Sequence, residues 1–424
     1  MHLSKKILSV LSLGVAGVAL ASAGAHAAGF YVQEISSSSA GAANAGAAAM
    51  PRDASVIFHN PSAITHLDGA QINGAVHALY THTELVDDGS TLPTALGGGA
   101  VTTAGFTGDG GNPGGLQPIP NLYAAAPLDF LDGNLWGGIG VTTPFGLGPE
   151  YDDNFFGSFS IREAELRVID VTPSLAYKIN DTLSVGLSAI VQHADLNYEF
   201  NFAPTVIGDV EADDIAFGYK ASMTYTPNDD WTVGLQYRSR TNLDLEGDID
   251  AGAFGASDAD GTLNLPDIAT LGIAYDVNEQ LTVMGGLEWF GWSNTDVATI
   301  NNTVGGLVPA GLEVNFDYEN TINISLGAEY QHDDTWTFRA GYQYDETPTQ
   351  ISERSPLNPD GNRHWFAGGA TQKLDENWSF DYALTYIDIA DGNLNKTLQS
   401  GATVVGKAED SYAVIGTFGV NYKF

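Results

Sequence analysis

The chain of 424 residues contains no cysteine, so neither disulfides nor thiolate metal sites hold it together. Basic side chains are scarce, with 16 Lys and Arg against 52 Asp and Glu. Phosphate recognition needs clustered cations, and this balance excludes a nucleic-acid partner. Beyond residue 27 no uninterrupted apolar run is long enough to cross a bilayer as a helix. What remains is a secreted soluble protein or a β-barrel. Aromatics and glycine, by contrast, are plentiful, which argues for a folded chain despite the charge.

Residues 1–27 have the layout of a secretory signal peptide: Lys5 and Lys6, an apolar run from Ile7 to Ala23, then Ala25-His26-Ala27. A transmembrane helix is the competing reading, but the run is short, rich in Ala and Gly, and ends in a cleavage pattern. Cleavage after Ala27 leaves 14 basic against 52 acidic side chains, a formal charge of −38.

The segment 28–69 is neither a period-2 strand nor an amphipathic helix. Small residues fill Ser36 to Ala49, and Phe58-His59-Asn60-Pro61-Ser62 follows. Ala, Gly and Ser let backbones approach closely, and Pro61 biases Asn60 away from the helical region. Ahead of a barrel, such a segment reads as a plug (hatch) in the lumen; composition alone equally fits a flexible periplasmic tail.

From Ala70 onward the pattern is alternation. Ile215, Phe217, Tyr219, Ala221, Met223 and Tyr225 share one face, and Ala216, Gly218, Lys220, Ser222 and Thr224 the other. Trp231, Val233, Leu235 and Tyr237 alternate with Thr232, Gly234, Gln236 and Arg238 in the same way. Each strand thus meets one apolar and one polar environment. Short turns such as Asn180-Asp181, Asn278-Glu279 and Asp333-Asp334 alternate with long Gly/Asp/Asn-rich connections near 86–117, 146–160, 201–213, 246–262, 293–315, 346–361 and 388–409. The count predicts an all-β membrane protein: a 14-stranded antiparallel transmembrane β-barrel over 70–424, in a Gram-negative outer membrane. Trp136, Trp231, Trp336 and Trp378 each follow a short turn, where a periplasmic aromatic girdle belongs. The last strand ends on Tyr422 and Phe424, which resembles the signal read by the barrel-assembly machinery.

Several blocks, in order, resemble the FadL-type family of outer-membrane transporters for long-chain fatty acids and related hydrophobic compounds. They are Ala28-Gly29-Phe30, Asn60-Pro61-Ser62 (Ser replacing the family's Ala), Tyr237-Arg238-Ser239 to Asp248, Leu265-Pro266-Asp267 to Trp292-Ser293, and Gly341-Tyr342-Gln343-Tyr344-Asp345 with Pro359-Asp360-Gly361-Asn362-Arg363-His364-Trp365. The resemblance spans the mature chain. It implies a fourteen-stranded barrel with an N-terminal plug, whose first residues help form a ligand pocket. It also implies a kinked third strand that opens the wall, with the Asn-Pro motif packed nearby and solute leaving sideways into the bilayer.

Candidate residues follow from the solute's chemistry. Phe30, Tyr31, Ile57 and Phe58 are large apolar plug residues, suited to a pocket or simply to anchoring the plug. A carboxylate would need a lumenal base, for which Arg52, Arg238, Arg240 and Arg339 are candidates, unless they pair with acids. Gly137, Gly138, Gly140 and Pro144 mark the third strand, Gly133 to Phe145, as the lateral exit, though glycine also relieves crowding in barrels. Phe145, Leu147, Phe155 and Phe156 are either an external capture patch or loop packing. The acidity would repel anions at long range, so a neutral hydrocarbon or aromatic is the alternative solute.

Rivals of other classes are a general porin and an outer-membrane enzyme of lipase type. No nucleophile elbow, His-Glu-x-x-His helix or EF-hand pattern is present in the sequence, so no catalytic residue, metal or cofactor is expected. The expected partners are a long-chain fatty acid or other hydrophobic small molecule, outer-membrane lipid and lipopolysaccharide, and the assembly machinery during biogenesis. A monomer is expected.

Overall fold

The computed structural model describes residues 29–128, 131–305 and 308–424. The signal peptide and Ala28 lie outside the described residues. Among these, no helix is long and apolar enough to cross a membrane.

Nineteen hydrogen-bonded segments form one antiparallel sheet, and five of its crossings come in two pieces, leaving fourteen crossings. In order they are β1 (Gln71–Asp87), β2 (Gly115–Pro127), β3 (Leu135–Leu147), β4 (Glu163–Asn180), β5 (Leu183–Ala203) and β6 (Val206–Asn228). Then come β7 (Trp231–Arg238 and Thr241–Asp250), β8 (Ala256–Leu265 and Ile268–Asn278), β9 (Leu281–Phe290 and Val297–Asn302) and β10 (Gly311–Asn315 and Thr321–Gln331). The last are β11 (Trp336–Asp345), β12 (Arg363–Lys373), β13 (Trp378–Ile389 and Gly392–Thr397) and β14 (Thr403–Lys423). Pairing of β14 with β1, from Gln71↔Lys423 to Asp87↔Gly406, closes the barrel.

The alternation predicted along each strand is realised: Leu187, Phe217 and Leu326 point outward and are exposed, while Gln192, Lys220 and Thr224 point inward and are buried. At the short-turn end Trp231 packs on Tyr275 at 4.6 Å and Trp378 on Tyr422 at 4.6 Å. Several long connections differ from expectation. The stretches 201–213 and 246–262 are mostly strand, with turns at 204–205 and 251–255. There, Val210, Ala212, Leu245 and Leu263 face inward while Glu211, Asp213, Glu246 and Asp260 alternate with them. Period 2 persists, but acids replace apolar residues on the outer face, which made the hairpin extensions look like loops.

Residues 29–69 lie in the lumen. Their elements are short: a helical turn at Ser37–Ala40 capped by Ser36, another at Val56–His59, and a 3-10 turn at Pro61–His66 capped by Asn60. The segment reaches opposite walls, with Ser37 Oγ donating to Asp381 of β13 at 3.0 Å and Asn60 Nδ2 to Thr224 of β6 at 2.9 Å. The Ala/Gly/Ser run fits because the wall also lacks side chains where it passes. A Cβ at Gly234 would collide with the Ala48 carbonyl, and one at Gly341 with that of Ala42.

Candidate ligand site

Phe30 is placed from both sides of the barrel. The N–H of Gly29 donates to Asp360 Oδ2 at 2.9 Å, and Asn358 Nδ2 donates to the Gly29 carbonyl at 2.9 Å. Gly29 has φ +64°, and a Cβ there would stand 2.7 Å from the Trp292 ring. The next residues pair with the outer part of β3: Val32 N donates to Pro144 O, and Gly146 N to Phe30 O, both at 2.9 Å. An aromatic cluster results. Phe30 lies 4.9 Å from Trp292, 5.9 Å from Phe316 and 6.2 Å from Phe145, while Tyr31 lies 4.9 Å from Phe290.

Phe316 also lines an apolar cavity of about 60 Å³ in the outer half of the barrel. Leu147, Leu166, Leu196, Leu245 and Leu263 form its walls, and among the described residues no Lys or Arg lines it. The strand register says what lies below. On β4 and β5 the inward pairs run Leu166↔Leu196, Val168↔Ala194, Asp170↔Gln192. The floor therefore turns polar four residues down, roughly 13 Å along the strand.

That polar layer holds Asp170, Arg238 and Lys220. Arg238 Nη1 donates to Asp170 Oδ2 at 2.6 Å, Gln192 Nε2 donates to Asp170 Oδ1 at 2.6 Å, and Thr241 donates to Gln192 Oε1 at 2.6 Å. Lys220, the register partner of Arg238, finds only the Phe58 carbonyl at 3.0 Å and the Phe58 ring at 4.1 Å. Arg238 lies over the Phe145 ring at 5.4 Å, and its Nη2 is buried with no partner. Among the described residues Asp170 thus pairs with Arg238 alone, and Lys220 beside it meets no carboxylate in a buried place where unpaired charge is costly.

The wall beside this site is incomplete. β2 and β3 pair only from Leu122↔Val141 to Pro127↔Trp136. Above that, β2 pairs with β1 alone, and β3 pairs with β4 through a bulge between Thr142 and Phe145. Residues 30–32 of the plug take the edge of β3 that β2 leaves free.

The structure brings Phe30, Tyr31, Phe145 and Arg238 together and places Leu147 in the cavity wall. Other expectations need correction. The third strand runs from Leu135 to Leu147, and its irregularity sits at Thr142–Phe145, not at the glycines. Gly138 instead accommodates the plug, because a Cβ there would meet Ile57 at 2.7 Å. Gly137 and Gly140 lie in the regularly paired part. The turn Pro61–His66 packs against β3 as expected, but the polar bonds of Asn60-Pro61-Ser62 go to β6: Ser62 N donates to Ser222 Oγ at 2.9 Å, and Ser62 Oγ meets Thr224 Oγ1 at 2.7 Å. Arg52 and Arg339 are consumed by a shared Glu329, at 2.7 and 2.6 Å. Phe155 and Phe156 present no exposed patch; both are buried, with Phe155 stacked on Tyr151 at 4.1 Å and tilted against Phe156 at 4.7 Å. They lock the loops between β1 and β2 and between β3 and β4 together through the Gly108–Phe155 bridge. Lys220 escaped the sequence reading, although it is the only cation on the inward face of a strand of small residues.

Closed antiparallel wall, lumenal plug and apolar outer face together define a plugged outer-membrane barrel. The profile of the family described as "Outer membrane protein transport protein (OMPP1/FadL/TodX)" matches residues 18–424. The chain is 26% identical to the long-chain fatty acid transport protein of Escherichia coli O6:H1, over 91% of this chain and 92% of that one. It is 27% identical to outer membrane protein P1 of Haemophilus influenzae, over 89% of each. Among solved structures, a Pseudomonas aeruginosa FadL homologue superposes with TM-score 0.85 at 23% identity, covering 94% of this chain and all (100%) of that one. The Ralstonia pickettii toluene transporter TbuX superposes with TM-score 0.66 at 20% identity, covering 93% and 98%. The chain belongs to this family of outer-membrane transport proteins, and its place is the Gram-negative outer membrane.

Proposed function

We propose that the protein takes up long-chain fatty acids or similar amphiphiles with an apolar tail and an anionic head. One observation carries this reading: an apolar cavity stands over a buried layer in which Arg238 pairs with Asp170 while Lys220, its register partner, meets no carboxylate among the described residues. A tail would lie in the cavity, and the head would supply the anion that this layer lacks. The aromatic cluster around Phe30 and Phe145 separates the two, so those residues gate passage from one to the other. Uptake continues sideways, through the unpaired seam between β2 and β3 into the bilayer; Val76 and Leu116 flank it on apolar, exposed faces, which supports a seam at lipid depth. Residues 28–69 act as plug and 70–424 as barrel, and no chemical step is assigned to either. Closure by β1 and β14 supports a monomer, the exposed Phe424 supports recognition by the assembly machinery, and the outward acids above the apolar belt support contact with lipopolysaccharide.

A neutral hydrocarbon is the second reading, favoured by the absence of any cation among the cavity's own walls. Labelled oleate uptake by cells lacking their own carrier tests the first. The expected result is uptake that depends on the protein and exceeds that of hexadecane. Hexadecane uptake alone would establish the second reading. Steady ion conductance with neither solute would make the protein a porin.

A further inference from the structure

An open seam at lipid depth raises a physical difficulty. With no water in the bilayer core, every backbone N–H that lacks a partner costs several kcal/mol, which is why spanning sheets close. The free edge of β2 should therefore close on β3, or attract another strand.

The register shows which donors are at stake. Leu128 N donates to Leu135 O at 2.9 Å, and pairing runs without interruption from there to Leu122↔Val141. Antiparallel strands alternate their bonding direction, so the even-numbered N–H groups of β2 face β3 and the odd-numbered ones face β1. The next two even positions above Leu122 are Pro120 and Pro118. Both pair opposite β1, with Val76 and Ala78, through positions that need no N–H on that side. Proline has no donor to offer β3 and none to leave orphaned in lipid. The carbonyls that remain tolerate poor partnering better than N–H groups do.

We propose that Pro118 and Pro120 are the positioning residues of the lateral exit: they remove the two donors that would zip β2 onto β3, and so hold the seam open. The inference rests on the lateral-exit reading only for its purpose, not for its geometry. Three devices then act on one seam. The prolines disarm the β2 edge, the Thr142–Phe145 bulge turns β3 aside, and residues 30–32 occupy the edge of β3.

The test is the double variant Pro118→Val, Pro120→Val in the full-length barrel, read by amide hydrogen exchange and by oleate uptake. Pro127→Val is the matched control, since position 127 is odd-numbered and lies beyond the last β1 partner, Ala125. Pro120→Val alone, one rung above the existing pairing, serves if the double variant does not assemble. The expected result is slow exchange at 118 and 120, faster exchange at Val32 as β3 leaves the plug, and at least tenfold lower uptake, with the control unchanged. Rapid exchange at both new amides in an assembled barrel overturns the proposal, whatever the uptake. Protected amides with unchanged uptake leave the role of the prolines standing and overturn the lateral exit instead.

Discussion

Residues 30–35 and residues 55–66 belong to one plug, yet they meet the barrel in different ways. The first stretch pairs with a bent strand, carries Phe30 and Tyr31 into an aromatic cluster, and follows Gly29, which Asp360 and Asn358 hold from the loop before β12. The second is fixed by hydrogen bonds to regular wall, Asn60 to Thr224, Ser62 to Ser222 and Thr65 to Ser184, and within the plug by Asn60 to Ala48. Aromatic packing can rearrange around a ligand, whereas an interlinked hydrogen-bond network holds a single geometry. One end of the plug is therefore built as part of the binding site, and the other as its anchor.

Substitutions at the two ends should separate these roles. Phe30→Ala empties the middle of the cluster and should cost about 3 kcal/mol of packing. Titration of the purified barrel should show affinity for oleate and for its methyl ester falling together, by roughly 100-fold. Asn60→Ala strands Ala48 O at the anchor, a loss of about 2 kcal/mol. Its signature should be raised ion conductance in planar bilayers, with ligand affinity changed less than about twofold. If both variants raised conductance and neither altered affinity, the distinction between the ends would be gone.

Lys220→Met probes the layer beneath both. A charged hydrogen bond is worth about 1.5 kcal/mol or more, so oleate should bind about tenfold more weakly while the ester is unaffected. The smallest effect concerns Glu34, where burial pushes the carboxyl from its ordinary 4.5 up to about 7, with Arg363 opposing. A carboxyl whose docked value is raised favours docking fully below about 4.5, and that contribution is lost as pH rises through about 7. Exchange protection of residues 30–35 should accordingly weaken between pH 5 and pH 8, and Glu34→Gln should flatten the change.

Much of this architecture was legible in the sequence because a barrel wall has one simple rule. Ile215, Phe217 and Tyr219 against Gly218, Lys220 and Ser222 announce a strand with lipid on one side, wherever the chain later travels. The rule also explains what was misread: in 201–213 the outward residues are acids, so an ordinary strand extension resembled a loop. The site was less legible, because its parts are brought together by register across many strands. Arg238 and Lys220 are 18 positions apart and become neighbours only when β6 pairs with β7. Arg52 and Arg339 looked like equal candidates until Glu329 was found between them. Phe155 and Phe156 have the composition of a capture patch, and only their burial reveals a loop clasp. Pro118 and Pro120 were in plain view, but their parity against β3 has no meaning without the register.

The account stands or falls on whether the buried cations receive an anionic head. The direct measurement is the affinity of the purified barrel for oleate and for methyl oleate, which share a tail and differ in charge, in the natural sequence and in Lys220→Met. The account predicts at least a tenfold preference for oleate in the natural sequence and its loss in the variant. Equal affinities in the natural sequence would contradict it, leaving Arg238 and Lys220 as wall structure and the cavity as a site for neutral molecules.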